Sequence, residues 1–115
     1  MGRSEWTAPR SLSSVLMAKY DVYPDPDGTG YLLDVQSDLL EDLNTRVVVP
    51  LILTVEAPDP TRRLNPVFTI EGTEVIMMTH FLASVPRTVL RDPVEKLLGD
   101  FAEITNALDM VFQGL

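Results

Sequence analysis

The sequence predicts a mainly β domain: an antiparallel, partly open barrel or curled sheet with one helix packed on it. Three observations predict this. Short runs dense in β-branched and aromatic residues alternate with clusters of Pro, Gly and Asp; the most apolar run has a proline at its centre; and a helical period appears near the C-terminal end. A chain of 115 residues is normally one domain, and 45% hydrophobic against 23% charged residues suffices for a modest core.

Residues 1–16, MGRSEWTAPRSLSSVL, show no sustained period and no apolar stretch long enough for a signal peptide. They are read as a tag, a mis-assigned start or a flexible arm, and the domain as residues 17–115; Trp6, the only tryptophan, receives no functional role. KYDVY from Lys19, the turn residues PDPDGTG and the run YLLDVQ give a hairpin with a loop longer than two residues. SDLLEDLNT from Ser37 is acidic and turn-prone, with Leu39 and Leu40 either buried under the loop or exposed as a contact patch.

RVVVPLILTV, residues 46–55, reads as the central strand, buried on both faces for part of its length. Pro50 cannot donate a ladder hydrogen bond, so a bulge or bend is expected there. PVFTI and EVIMM around Gly72 form a second hairpin, and residues 85–90 resume β character. Asp92 and Pro93 open a short helical turn that Gly99 interrupts. In DFAEITNALDMVFQGL, residues Phe101, Ile104, Leu108 and Val111 share one helical stripe, with Asp100 and Glu103 as a capping box. The tally is about six strands and one terminal helix.

Composition removes several function classes. With no cysteine there is no disulfide, thiol nucleophile or Cys-based zinc site, which fits a cytoplasmic setting. No apolar run reaches the roughly 18 residues needed to span a bilayer. The net charge is −8, and the bases are scattered singly apart from Arg62 and Arg63, so direct nucleic-acid binding is disfavoured. An aliphatic surplus including Ile76, Met77, Met78, Val111 and Phe112 leaves room for a second copy, hence a homodimer.

Residues for chemistry are sparse. His80 is the sole imidazole, and no Ser-His-Asp arrangement accompanies it. Asp34 and Asp38 are either an acid or metal pair on one strand face, or turn caps and partners of Arg46. Arg62, Arg63, Arg87 and Arg91 are balanced by nearby acids, and DGTG lacks the helix that a phosphate loop requires. No enzyme, cofactor or metal site is predicted.

The wording of the chain adds a resemblance. DVQSDLL with RVVVPL eight positions after Asp38, LNPVFTI, MMT followed by LASVP, and the closing MVFQGL are similar to the CcdB family of plasmid-maintenance toxins, in that order, from about Lys19 to Leu115. The resemblance implies an SH3-like, partly open barrel with a small accessory sheet and a C-terminal α-helix, assembled as a twofold dimer. It also implies an activity: trapping the A subunit of DNA gyrase in its cleaved-DNA complex unless a CcdA-like antitoxin wraps the toxin.

The implied gyrase contact is the helix end, a Trp-Gly-Ile tripeptide in the family whose Trp stacks on a gyrase arginine. Here it reads Gln113, Gly114 and Leu115, with Phe112 beside it. Losing a cation–π contact of about 0.5–2 kcal/mol, partly returned by hydrogen bonding, predicts binding weakened about threefold to thirtyfold. Neighbouring contributors fall on Asp109, where the family has Asn, on Ser37, Leu39 and Leu40, and on Tyr20 and Tyr23 in the first strand. Antitoxin contact is placed at Asp59, Arg62, Arg63 and Asp109. Two alternatives stand beside this reading: a family member that binds antitoxin but is no longer toxic, and a MazF-like endoribonuclease using His80 and Arg87.

Overall fold

The computed structural model of the protein describes residues 17–57 and 63–114, so Trp6, Asp59, Arg62 and Leu115 lie outside the described residues. Strands β1 (Asp21–Pro24) and β2 (Tyr31–Asp34) form the first hairpin, with Val22 opposite Leu33. β3 (Thr45–Leu53) is the central strand. β4 (Val67–Ile70) and β5 (Thr73–Met77) form the second hairpin, followed by β6 (Ala83–Pro86), a short β7 (Glu95–Lys96) and helix α1 (Phe101–Gln113). The strands join antiparallel in the order β4-β5-β3-β2-β1-β7, with β6 also on β3, and curl into a nearly closed, barrel-like sheet. The β4–β5 hairpin joins this same sheet through the far end of β3.

Pro50 sits where β3 changes partners. One edge of β3 runs beside β2, with Pro50 opposite Leu32; the other pairs with β6 over Thr45–Val48 and with β5 over Leu51–Leu53. Between the two partners the chain makes a 3-10 turn at Thr79–Phe81, and only the Pro50 carbonyl is engaged, accepting from the Met78 N–H at 2.9 Å. No partner strand there asks Pro50 for the N–H it lacks.

The period of two divides the hydrophobic residues between two faces. Val22, Leu33, Val49 and Leu51 point into the barrel with Phe68, Ile70, Val75, Met77 and the helix residues Ile104 and Ala107. Tyr23, Leu32 and Val48 point the other way and are covered by Met17 and Leu90. β3 is therefore apolar on both faces near its middle, as its composition requires.

The β4–β5 turn puts two residues, Glu71 (φ 52°) and Gly72 (φ 79°), between paired Ile70 and Thr73. Glycine adopts this conformation freely; Glu71 does not, and is held by the Tyr31 hydroxyl donating to its carboxylate and by its own N–H donating to Glu95. At Gly30 a Cβ would lie 2.2 Å from the Leu51 carbonyl oxygen, so the first hairpin closes only over a glycine.

Several sequence expectations are corrected. Residues 85–90 are β only as far as Pro86; a 3-10 turn, Arg87–Val89, follows. The helical turn expected after Asp92 is replaced by β7, and Gly99 lies inside a 3-10 turn, Leu98–Asp100, that leads directly into α1. Asp100 is the N-cap but its side chain makes no capping bond, so the capping box does not form. Phe101 is 56% exposed, because the helix residues packed with the barrel core are Ile104, Ala107 and the half-buried Leu108. Among the described residues the strands number seven, against about six expected.

Candidate functional site

Helix α1 ends in the open. Its buried side anchors it to the barrel through Ile104 and Ala107, while Phe112 is 69% exposed and Gln113 and Gly114 are exposed with it. Gly114 takes the left-handed conformation (φ 73°) and donates its N–H to Met110 O at 3.0 Å, closing the helix cleanly. No basic residue stands in the last turn, and half-buried Asp109 adds an acid to the negative end of the helix dipole. The tip is apolar and electronegative, so it suits a surface carrying a cation beside an apolar seat.

The loop between β2 and β3 is the second exposed feature. Its 3-10 turn, Asp38–Leu40, is capped by Ser37, whose hydroxyl accepts from the Leu39 N–H at 3.2 Å. Leu39 is 94% exposed, and Leu40 and Leu43 are 48% exposed each; these leucines are exposed rather than buried under the loop. Asp38, Glu41 and Asp42 are exposed among them.

The two tyrosines divide. Tyr20 precedes β1 and is half-buried, with φ 78°, a strained conformation for an aromatic residue; its N–H donates to Asp34 O at 2.7 Å and its carbonyl accepts from Leu97 N at 2.9 Å. Lys19 Nζ stands 5.3 Å from its ring centre. Tyr23, expected at the gyrase contact, is 1% exposed, so its side chain presents no surface to a partner. Strand parity turns it onto the covered face, where its hydroxyl donates to Asp21 at 3.5 Å. Burial, then the Asp21 and Asp34 charges, push its phenol far up.

On that same covered face lies a buried ion pair. Arg46 Nε donates to Asp34 Oδ2 at 2.8 Å and Nη2 lies 2.7 Å from the same oxygen, both side chains fully buried. Burial raises the Asp34 carboxyl to about 6, against the opposing pull of the Gln36 N–H and the Arg46 guanidinium. Asp38 instead turns outward and accepts from the Lys19 N–H at 2.9 Å. Asp34 and Asp38 therefore serve separate structural ends, and among the described residues no cluster has the make-up of a metal site.

The remaining candidates are spread apart. His80 is exposed with its ring 4.3 Å from that of Phe81, and the Arg87 guanidinium donates to the Glu41 and Leu43 carbonyls. Arg63 is exposed and lines an open cleft of about 200 Å³ with Pro66, Glu103 and Asn106. Sequence reasoning missed Gln36 and Leu43. For Gln36 a signal was available, since in the extended run YLLDVQ it has the parity of Asp34 and Leu32; β2 itself stops at Asp34, and Gln36 is 4% exposed just beyond it.

A family model described as CcdB protein matches residues 19–114. The chain belongs to the CcdB family. It is thus a toxin of the toxin–antitoxin kind. The match begins at Lys19 and takes in both exposed features, the residue 37–44 loop and the helix end through Gly114. No helix among the described residues is long and apolar enough to cross a membrane.

Proposed function

We propose that this CcdB-family chain acts, as a homodimer, on the A subunit of DNA gyrase, using the tip of α1 to hold the enzyme in its cleaved-DNA state, and that a CcdA-like antitoxin neutralises it. The observation that carries this reading is the exposed, electronegative helix end on a chain that matches the family along nearly its whole length. An arginine of the partner would meet Asp109 and the helix dipole in place of a stacked tryptophan, with Phe112 supplying apolar contact. Leu39 and Leu40 add a second apolar contact. Tyr20 is half-buried near the chain's entry into β1, and Tyr23 supports the sheet from its covered outer face. Arg63 and the cleft beside α1 are assigned to the antitoxin, together with Asp59, Arg62 and Asp109.

The test is expression of residues 17–115 without antitoxin in a gyrase-sensitive cell. Growth arrest with accumulated gyrase-linked DNA breaks is expected; normal growth with no such breaks sinks the poisoning claim. Deleting Gln113, Gly114 and Leu115 should abolish killing while the melting temperature stays within a degree or so, because Gln113 and Gly114 are exposed at the helix end. Gln113→Trp should raise potency about threefold to thirtyfold. An unchanged dose response removes the stacking account.

A further inference from the structure

The loop at residues 37–44 places three leucines in eight residues, all substantially in water. Burying leucine is favourable, so a slack loop of this composition would fold its side chains back onto the sheet. Two side chains from the scaffold hold it out. Gln36, 4% exposed, uses both ends of its amide: Nε2 donates to Leu40 O at 3.0 Å and Oε1 accepts from the Val47 N–H at 3.0 Å. From the β6 side, Arg87 Nη1 donates to Glu41 O at 2.8 Å and Leu43 O at 3.1 Å, and the Arg87 N–H donates to Asn44 O at 2.9 Å. Carbonyls that a surface loop normally leaves to water are here bound from two sides.

The geometry points to Gln36 and Arg87 as positioning residues, which pre-set the loop so that Leu39 and Leu40 meet the partner without an ordering cost at the moment of binding. The exposed acids Asp38, Glu41 and Asp42 make that partner surface an apolar one with basic residues at its rim. Taking the partner as the gyrase A subunit rests on the function proposed above; the holding of the loop does not.

Two variants separate these parts. Arg87→Met keeps the aliphatic stem and removes the donors, and Gln36→Met approximately preserves the buried volume. Amide hydrogen exchange at Leu40, Glu41 and Leu43, whose N–H groups close the loop's own turns, should speed up about tenfold or more in each variant while the β2–β3 ladder is unchanged. Titration against the gyrase A subunit should show binding weakened about fivefold or more, with part recovered in Arg87→Lys. Leu39→Ala should cost about tenfold in the natural background but under about threefold with Arg87→Met, the coupling expected when one residue acts through the other.

Unchanged exchange overturns the positioning role. Faster exchange with unchanged gyrase binding, or strictly additive losses, overturns its link to the partner. If the natural chain does not bind gyrase while exchange still accelerates, the positioning role is supported and the gyrase reading alone fails.

Discussion

Two regions only a few residues apart invert the usual partition of side chains. Asp34 and Arg46, the end of β2 and the start of β3, are wholly buried; Leu39, on the loop that joins those strands, is 94% exposed. Strand register accounts for the first, since Asp34 and Arg46 fall on the face covered by Met17 and Leu90, so each is the other's partner for want of water. The loop has no register, and its exposure is set by the ties from Gln36 and Arg87. The difference teaches that the interior polar pair belongs to the scaffold, whereas the exterior leucines are left out of it and open to the contact proposed for them.

The largest expected effect is on the pair. Arg46→Ala leaves Asp34 buried without its cation and should cost about 3–5 kcal/mol, measured by urea unfolding. A loss below about 1 kcal/mol would mean that water reaches the carboxylate and the two regions are not so different.

Next comes pH. The Asp34 carboxyl stands at about 6 in the folded chain against an ordinary 3.8, so folding takes up a proton between those values. That contribution is fully present below the ordinary value and is lost as pH rises through about 6. Relative to the neutral double variant Asp34→Asn/Arg46→Met, the natural chain should lose about 2 kcal/mol between about pH 4 and 7. Parallel stability curves for the two proteins would place Asp34 in water.

The smallest effect sharpens the other side. Leu39→Ser should move stability by no more than about 0.5 kcal/mol in thermal or urea melts. A substantially larger loss would return Leu39 to the scaffold and erase the contrast.

Much of the scaffold could be read from local pattern. The density of Val, Ile and Leu in residues 46–55 marks β3 as central, and the Pro, Gly and Asp clusters mark both hairpins. Pro50 announced an irregularity, but its form, a change of strand partner, depends on where residues 77–83 lie, and no local signal carries that. Phe112 falls outside the helical stripe of Ile104, Leu108 and Val111, so its exposure agrees with the period. Tyr23 was assigned to the gyrase contact by the resemblance alone, and its burial follows from which face of the sheet another element covers, which no local signal carries.

By itself the sequence determined β1 to β5, their two hairpins and the terminal helix, because periods of two and of 3.6 and the conformational limits of proline and glycine act over a few residues. Only the tertiary structure decided that Phe101 stays in water, that Asp34 and Arg46 go dry together, and that Gln36 and Arg87 hold three leucines outward. Each of these depends on which distant segment comes to lie overhead, and burial is a property of the assembled neighbourhood rather than of the residue.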